Sequence, residues 1–88
     1  MKDKLSLEAD MTEQKVREQA KQIIQYLRTE YLQGKNEKNP HYMTGRELSS
    51  ILSVGVTTVD LWNNANTLPR LESALEIIAL AKTKGVEL

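Results

Sequence analysis

Residues 49–69 read SSILSVGVTTVDLWNNANTLP. An apolar run is interrupted by Gly55, resumes, reaches Trp62, and ends in a polar run and Pro69. Val59 and Trp62 lie three apart and would share an inward face with Val54, which predicts a short helix from Val56 to about Asn63. Gly55 lets the chain turn before it, either at positive φ or as a helix cap. Upstream, Thr44 and Glu47 have the spacing of a capping box, with Met43 and Leu48 as a hydrophobic staple around it. A helix therefore starts at Thr44 and runs to about Leu52 or Ser53. Two short helices joined at a turn follow from these residues alone.

Downstream, Asn64-Ala65-Asn66-Thr67 is a turn, and Leu68-Pro69 leads into RLESALEIIALAKTK, residues 70–84. There Leu71, Ala74, Leu75 and Ile78 make an apolar stripe with Ile77 and Ala81 at its edges. Lys82 and Lys84 suit the negative end of the helix dipole, and Gly85 can close the helix. Val86 and Leu88 can fold back onto the body. Toward the N-terminus, Asp10 with Glu13 fits a capping box, with Thr12 as a rival cap. From there Val16, Ala20, Ile23, Ile24, Leu27 and Tyr31 line one helical face as far as Gln33, where Gly34 offers a stop. Lys15, Arg17, Glu18, Lys21 and Arg28 fall largely off that face. The intervening GKNEKNPHY, residues 34–42, reads as a polar loop. It is either a tolerated insertion or an arm carrying Lys35 and Lys38.

Composition narrows the function. The 88 residues make one domain: residues 1–10 are expected to be a flexible N-terminus and residues 11–88 a single helical domain. There is no cysteine, so disulfides and thiolate metal sites are excluded. No apolar run approaches the roughly 18–20 residues of a membrane span. MKDKLSLEADMT has no signal-peptide core, which makes a cytoplasmic protein the expectation. Twelve basic and twelve acidic residues give zero net charge, so any polyanion contact must be local. His41 is the only histidine, in a loop with no partner spacing for catalysis or metal binding, and no glycine-rich phosphate loop is present. No enzyme, metal or cofactor is expected.

Residues 44–69, TGRELSSILSVGVTTVDLWNNANTLP, resemble the helix-turn-helix of the lambda-repressor/Cro, or Xre-type, family without a gap. The match falls at Thr44, Glu47, Leu48, Leu52, Val54, Trp62, Asn64 and Pro69, with Ile51 and Val59 as aliphatic equivalents. LPRLESALEII and LAKTKGVEL resemble the helix and exit that follow in that family. The chain departs from the pattern at Gly45, where glutamine is frequent, and at Ser49, where alanine is usual. It departs again at Ser53 and Ala65, which stand where glycine is common; Asn66 could take the left-handed conformation in place of Ala65. The resemblance implies an all-α, four- to five-helix lambda-repressor-like DNA-binding domain with an extended first helix, its motif at residues 44–64.

What the resemblance implies about function is a small bacterial, phage or mobile-element regulator. Its second short helix would enter the major groove of double-stranded DNA, presenting Val56, Thr57 and Leu61 to the bases with Thr58 beside them. Phosphate contacts would come from Thr44, Gly45 and Arg46 at the first helix start, and from Asn64, Asn66, Thr67 and Arg70. No lysine or arginine lies between Arg46 and Arg70, so contacts per monomer are sparse. The long first helix offers surplus surface for a homodimer. The rival expectation is a protein partner on the Val56/Leu61 face, because exposed apolar pairs more often meet protein than DNA.

Overall fold

The computed structural model describes the backbone of residues 2–32 and 37–86, with side chains from residue 13 onward. Four helices dominate: α1 (Lys2–Leu27), α2 (Gly45–Leu52), α3 (Val56–Asn64) and α4 (Leu71–Thr83). A two-residue antiparallel ladder, β1 (Tyr31–Leu32) and β2 (Glu37–Lys38), pairs Tyr31 with Lys38 and Leu32 with Glu37. The chain is all-α in class, as its periodicity indicates.

The core joins one face of each helix. Ala20, Ile23, Ile24 and Leu27 come from α1, Leu48 and Leu52 from α2, Val59 and Trp62 from α3, and Ala74, Ile77 and Ala81 from α4. Met43 completes it from the segment before α2, next to the cap it was expected to staple. α1 packs along α4 and against α3, while α2 meets both α3 and α4. With no phenylalanine in the chain, Trp62 is the one large aromatic ring in this cluster, so aliphatic interdigitation carries most of the burial.

Helix α1 differs from expectation at both ends. It begins at Lys2, so neither Asp10 nor Thr12 starts it. It stops at Leu27 instead of Gln33, because another segment claims its last carbonyls. Asn39 is buried, and its Nδ2 donates to the carbonyls of Tyr26 and Thr29 at 2.9 Å each. The Met43 amide donates to the Leu27 carbonyl at 2.9 Å. Asn39 also fixes its own turn: its Oδ1 accepts from the His41 amide, and its carbonyl accepts from the Tyr42 amide. The loop thus caps α1, and Tyr31, expected on the buried face, sits on the small ladder and is 56% exposed. Gly34 and Lys35 lie outside the described residues.

The α2–α3 junction has the expected shape with its strain at a different residue. Thr44 forms the full capping box with Glu47. Ser53 ends α2 in the left-handed conformation, φ 55° and ψ 43°. Gly55 is the cap of α3 at φ −73° and ψ 153°, a conformation open to any residue. Ser49 secures the turn: its carbonyl accepts from the Val54 amide at 3.1 Å and its hydroxyl donates to the Val54 carbonyl at 2.5 Å. A Cβ in the left-handed region costs about 1 kcal/mol or more. Ser53→Gly is therefore expected to stabilise the fold by about 1 kcal/mol in chemical denaturation; an unchanged midpoint would contradict the assignment of strain to Ser53.

Helix α4 is turned relative to expectation. Its buried line is Ala74, Ile77 and Ala81, whereas Leu75 is 54% exposed. The helix closes as the sequence suggests. Gly85 adopts φ +75°, its amide donates to Lys82, and the Val86 amide reaches back to Ala81, a Schellman ending with Val86 against the core. Leu88 lies outside the described residues. Among the described residues no helix is long and apolar enough to cross a membrane.

Candidate nucleic-acid interface

The candidate surface is built on α3 and the two segments beside it. Gly45, at the first turn of α2, is buried against α3: a methyl group added there would sit 3.7 Å from Val56 Cγ1 and 3.8 Å from Asp60 Oδ1. The start of α2 therefore abuts the Val56–Asp60 flank of α3. Gly45 itself offers no side chain and little surface. On the opposite flank, Thr58 and Trp62 share a cleft of about 350 Å³ with Thr67, Arg70 and Ser73. This cleft brings the start of α4 next to α3.

Between these flanks α3 turns an exposed face outward. Val56 is 43% and Leu61 44% exposed, and Thr57, Asp60 and Asn64 are exposed with them. Thr58 is half-buried and lines the cleft. Arg46, Asn66, Thr67 and Arg70 are exposed, as their expected role requires. Thr44 is exposed too, but its hydroxyl already donates to Glu47 Oε1 at 3.1 Å and accepts from the Glu47 amide at 3.1 Å. It is a cap first, and could donate to a phosphate only by releasing Glu47. Asn64 is exposed, and its Oδ1 accepts from Asn63 Nδ2 at 3.3 Å.

The loop after α3 is held by a residue that helical spacing places off the apolar face. Lys21 Nζ donates to the carbonyls of Trp62, at 2.6 Å, Thr67, at 3.2 Å, and Ala65. One turn away, Arg17 Nε donates to the Pro69 carbonyl at 2.8 Å, and Gln25 Nε2 approaches the Asn63 carbonyl at 3.5 Å. Arg17, Lys21 and Gln25 are spaced by four along α1, so one polar stripe serves the C-terminal carbonyls of α3 and its loop. This explains the exit geometry. Ala65 has φ −110° and ψ 177°, and among the described residues Ser53 is the only non-glycine at positive φ, so neither Ala65 nor Asn66 is left-handed. Lysine supplies the donor that a left-handed turn would otherwise provide.

Arg28 is turned inward as well. Its Nη1 donates to Tyr42 Oη at 3.2 Å and to the Met43 carbonyl at 3.0 Å, with the guanidinium 5.7 Å from the Tyr42 ring centre. His41 is half-buried, its Nδ1 hydrogen-bonded to Tyr26 Oη at 2.9 Å. Arg17, Lys21 and Arg28 thus serve the fold. Arg46 is exposed on α2, in a depression with Thr44, Glu47, Ser50 and Ile51, and Arg70 is exposed beside α3 in the cleft shared with Thr58. Lys38 is exposed on the small ladder instead. Among the described residues no group of His, Cys, Asp or Glu could hold a metal ion.

No family model matches the chain, and neither a curated protein nor a solved structure is found to match it. The class defined by the coordinates is an all-α chain with two short helices joined by a three-residue turn.

Proposed function

We propose that this chain is a lambda-repressor-like, Xre-type helix-turn-helix domain that binds double-stranded DNA as a homodimer in transcriptional regulation. The observation that carries the reading is the outward face of α3, with Thr57 exposed near its start and Arg70 exposed across the adjoining cleft. An exposed helix face fits the major groove, and a cation beside it suits a phosphate wall. Thr57 can donate to or accept from a base edge. The homodimer reading is supported by length: the 26 residues of α1 extend about 39 Å at 1.5 Å per residue, against about 20 Å for the 13 residues of α4. A gel shift of the purified chain on the DNA upstream of its own gene, at two salt concentrations, tests this. A retarded band that weakens with salt is expected; no band at low salt would contradict it.

A second reading has its own observation. Val56 and Leu61 on α3, and separately Ile51 on α2 at 53% exposure, leave large apolar side chains open to solvent. On that reading the scaffold docks a regulatory protein in place of DNA. Leu61→Glu separates the two. It should abolish protein capture outright, while on DNA its repulsion of the duplex should cost a factor in affinity, relative to the unchanged chain, that shrinks as salt rises.

A further inference from the structure

We propose that the cleft between α3 and the start of α4 is a binding site for a small organic monoanion, a carboxylate with a short apolar body. The inference concerns the free protein and stands whether or not α3 meets DNA. The cleft encloses about 350 Å³, within the range of small-molecule pockets. Its lining is rich in donors: the hydroxyls of Thr58, Thr67 and Ser73, and the guanidinium of Arg70. Trp62 is 4% exposed, and its indole N–H donates to no protein group among the described residues. It is not sealed off either: among those residues the one sealed polar side-chain atom without a partner is Arg28 Nε. Trp62 borders the cleft, which gives its N–H an opening there, and an indole N–H at such depth ordinarily meets an acceptor.

No aspartate or glutamate lines the cleft; Glu72, in the first turn of α4, is exposed and not part of the lining. Donors without a carboxylate beside them select an acceptor-rich ligand. The planar guanidinium of Arg70 can hold a carboxylate through two parallel hydrogen bonds. The start of α4 adds to it. Arg70 caps that helix with its backbone alone, so amides at the positive end of the dipole have no side-chain cap. One formal positive charge suits a monoanion better than a dianion. Val54, Leu68 and the indole supply apolar wall, which a bare inorganic anion would leave uncovered. The loop that forms one wall is fixed from behind: Lys21 donates to the Thr67 carbonyl at 3.2 Å and Arg17 to the Pro69 carbonyl at 2.8 Å. A wall already in place binds without the cost of ordering it.

Trp62 is the one tryptophan of the chain, so its indole N–H gives a single NMR signal. The purified protein is titrated with phenylacetate and isocaproate, and for comparison with their neutral carboxamides and with inorganic phosphate. The indole signal, together with backbone amides between Thr67 and Ser73, is expected to shift saturably with the acids, at a Kd of about 0.1–1 mM for ligands of this size. The carboxamides and phosphate should bind at least about tenfold more weakly. Arg70→Gln should bring acid and carboxamide to equal affinity. Arg46→Gln, which removes a cation outside the cleft, should leave the titration unchanged. Both arginines are exposed, so both variants keep the fold. An indole signal unmoved by either acid, or acids and carboxamides bound alike by the unchanged chain, would overturn the inference. Neither result involves a duplex, so the DNA reading would be left standing.

Discussion

Replacing Lys21 with methionine is expected to destabilise the protein by about 2–3 kcal/mol, because three carbonyls lose a charged donor. For a chain of this size the loss reads as a fall of about 10–20 °C in Tm. Methionine keeps the unbranched apolar stem, so the packing of the stem survives and the lost quantity is the ammonium. Two effects add. The carbonyls of Trp62, Ala65 and Thr67 belong to the end of α3 and its exit, where helix groups lack internal partners. A cation there also meets the negative end of the helix dipole. Lys15→Met is the control: Lys15 is exposed on the same helix, and its loss should change stability by no more than about 0.5 kcal/mol. Lys21→Met should also speed amide exchange at residues 65–68, since that loop would lose its anchor. An unchanged Tm for Lys21→Met would show that the clamp does not hold the loop.

The second large effect concerns DNA. The double variant Arg46→Ala, Arg70→Ala is expected to weaken duplex binding about 10- to 100-fold on all sequences alike. In a dimer it removes four exposed guanidiniums, so the dependence of log K on log salt should flatten by about two to four. Both residues are exposed, and Arg70 caps α4 through its backbone alone, so stability should hold within about 0.5 kcal/mol. Loss of affinity with an unchanged salt slope would mean that the arginines do not meet phosphates. Thr57→Ala behaves differently under the same account, changing preference among duplexes with little effect on the slope.

Much of this fold was legible because local rules and tertiary packing agree. The Thr44–Glu47 box, the Val59/Trp62 pair and the Gly85 ending each depend on a few neighbouring residues, and each forms where its pattern lies. The end of α1 was not legible. Its periodicity continues to Tyr31, but the buried amide of Asn39, 10 to 13 residues from the carbonyls it binds, takes over at Tyr26 and Thr29. The Asn39-Pro40 pair signals a turn, yet nothing in its spacing says which carbonyls it will cap. The stripe on α4 fails for a related reason. Leu75 is as apolar as Ile77, and only the position of α1 decides which is covered.

The candidate site was legible as a set of positions and only partly as chemistry. Val56, Thr57, Leu61, Arg46 and Arg70 are exposed as expected, whereas Gly45 is buried and the Thr44 hydroxyl is already engaged. Long-range polar contacts were hidden most completely. Lys21 lies 41 residues from Trp62 in sequence, and helical spacing marks it only as surface charge. The one available signal is its i±4 register with Arg17 and Gln25, which becomes meaningful once the end of α3 is placed beside it.

The most direct test is residue-resolved. Backbone amide shifts of the labelled protein are followed by NMR as a duplex selected from a randomised pool is added. The account predicts perturbations at Arg46 and its neighbours, along Val56, Thr57 and Leu61, and from Asn64 to Arg70, with the ladder at Tyr31 and Lys38 unaffected. Perturbations confined to that ladder or to the outer face of α4 around Leu75, or none at all at low salt, would contradict it.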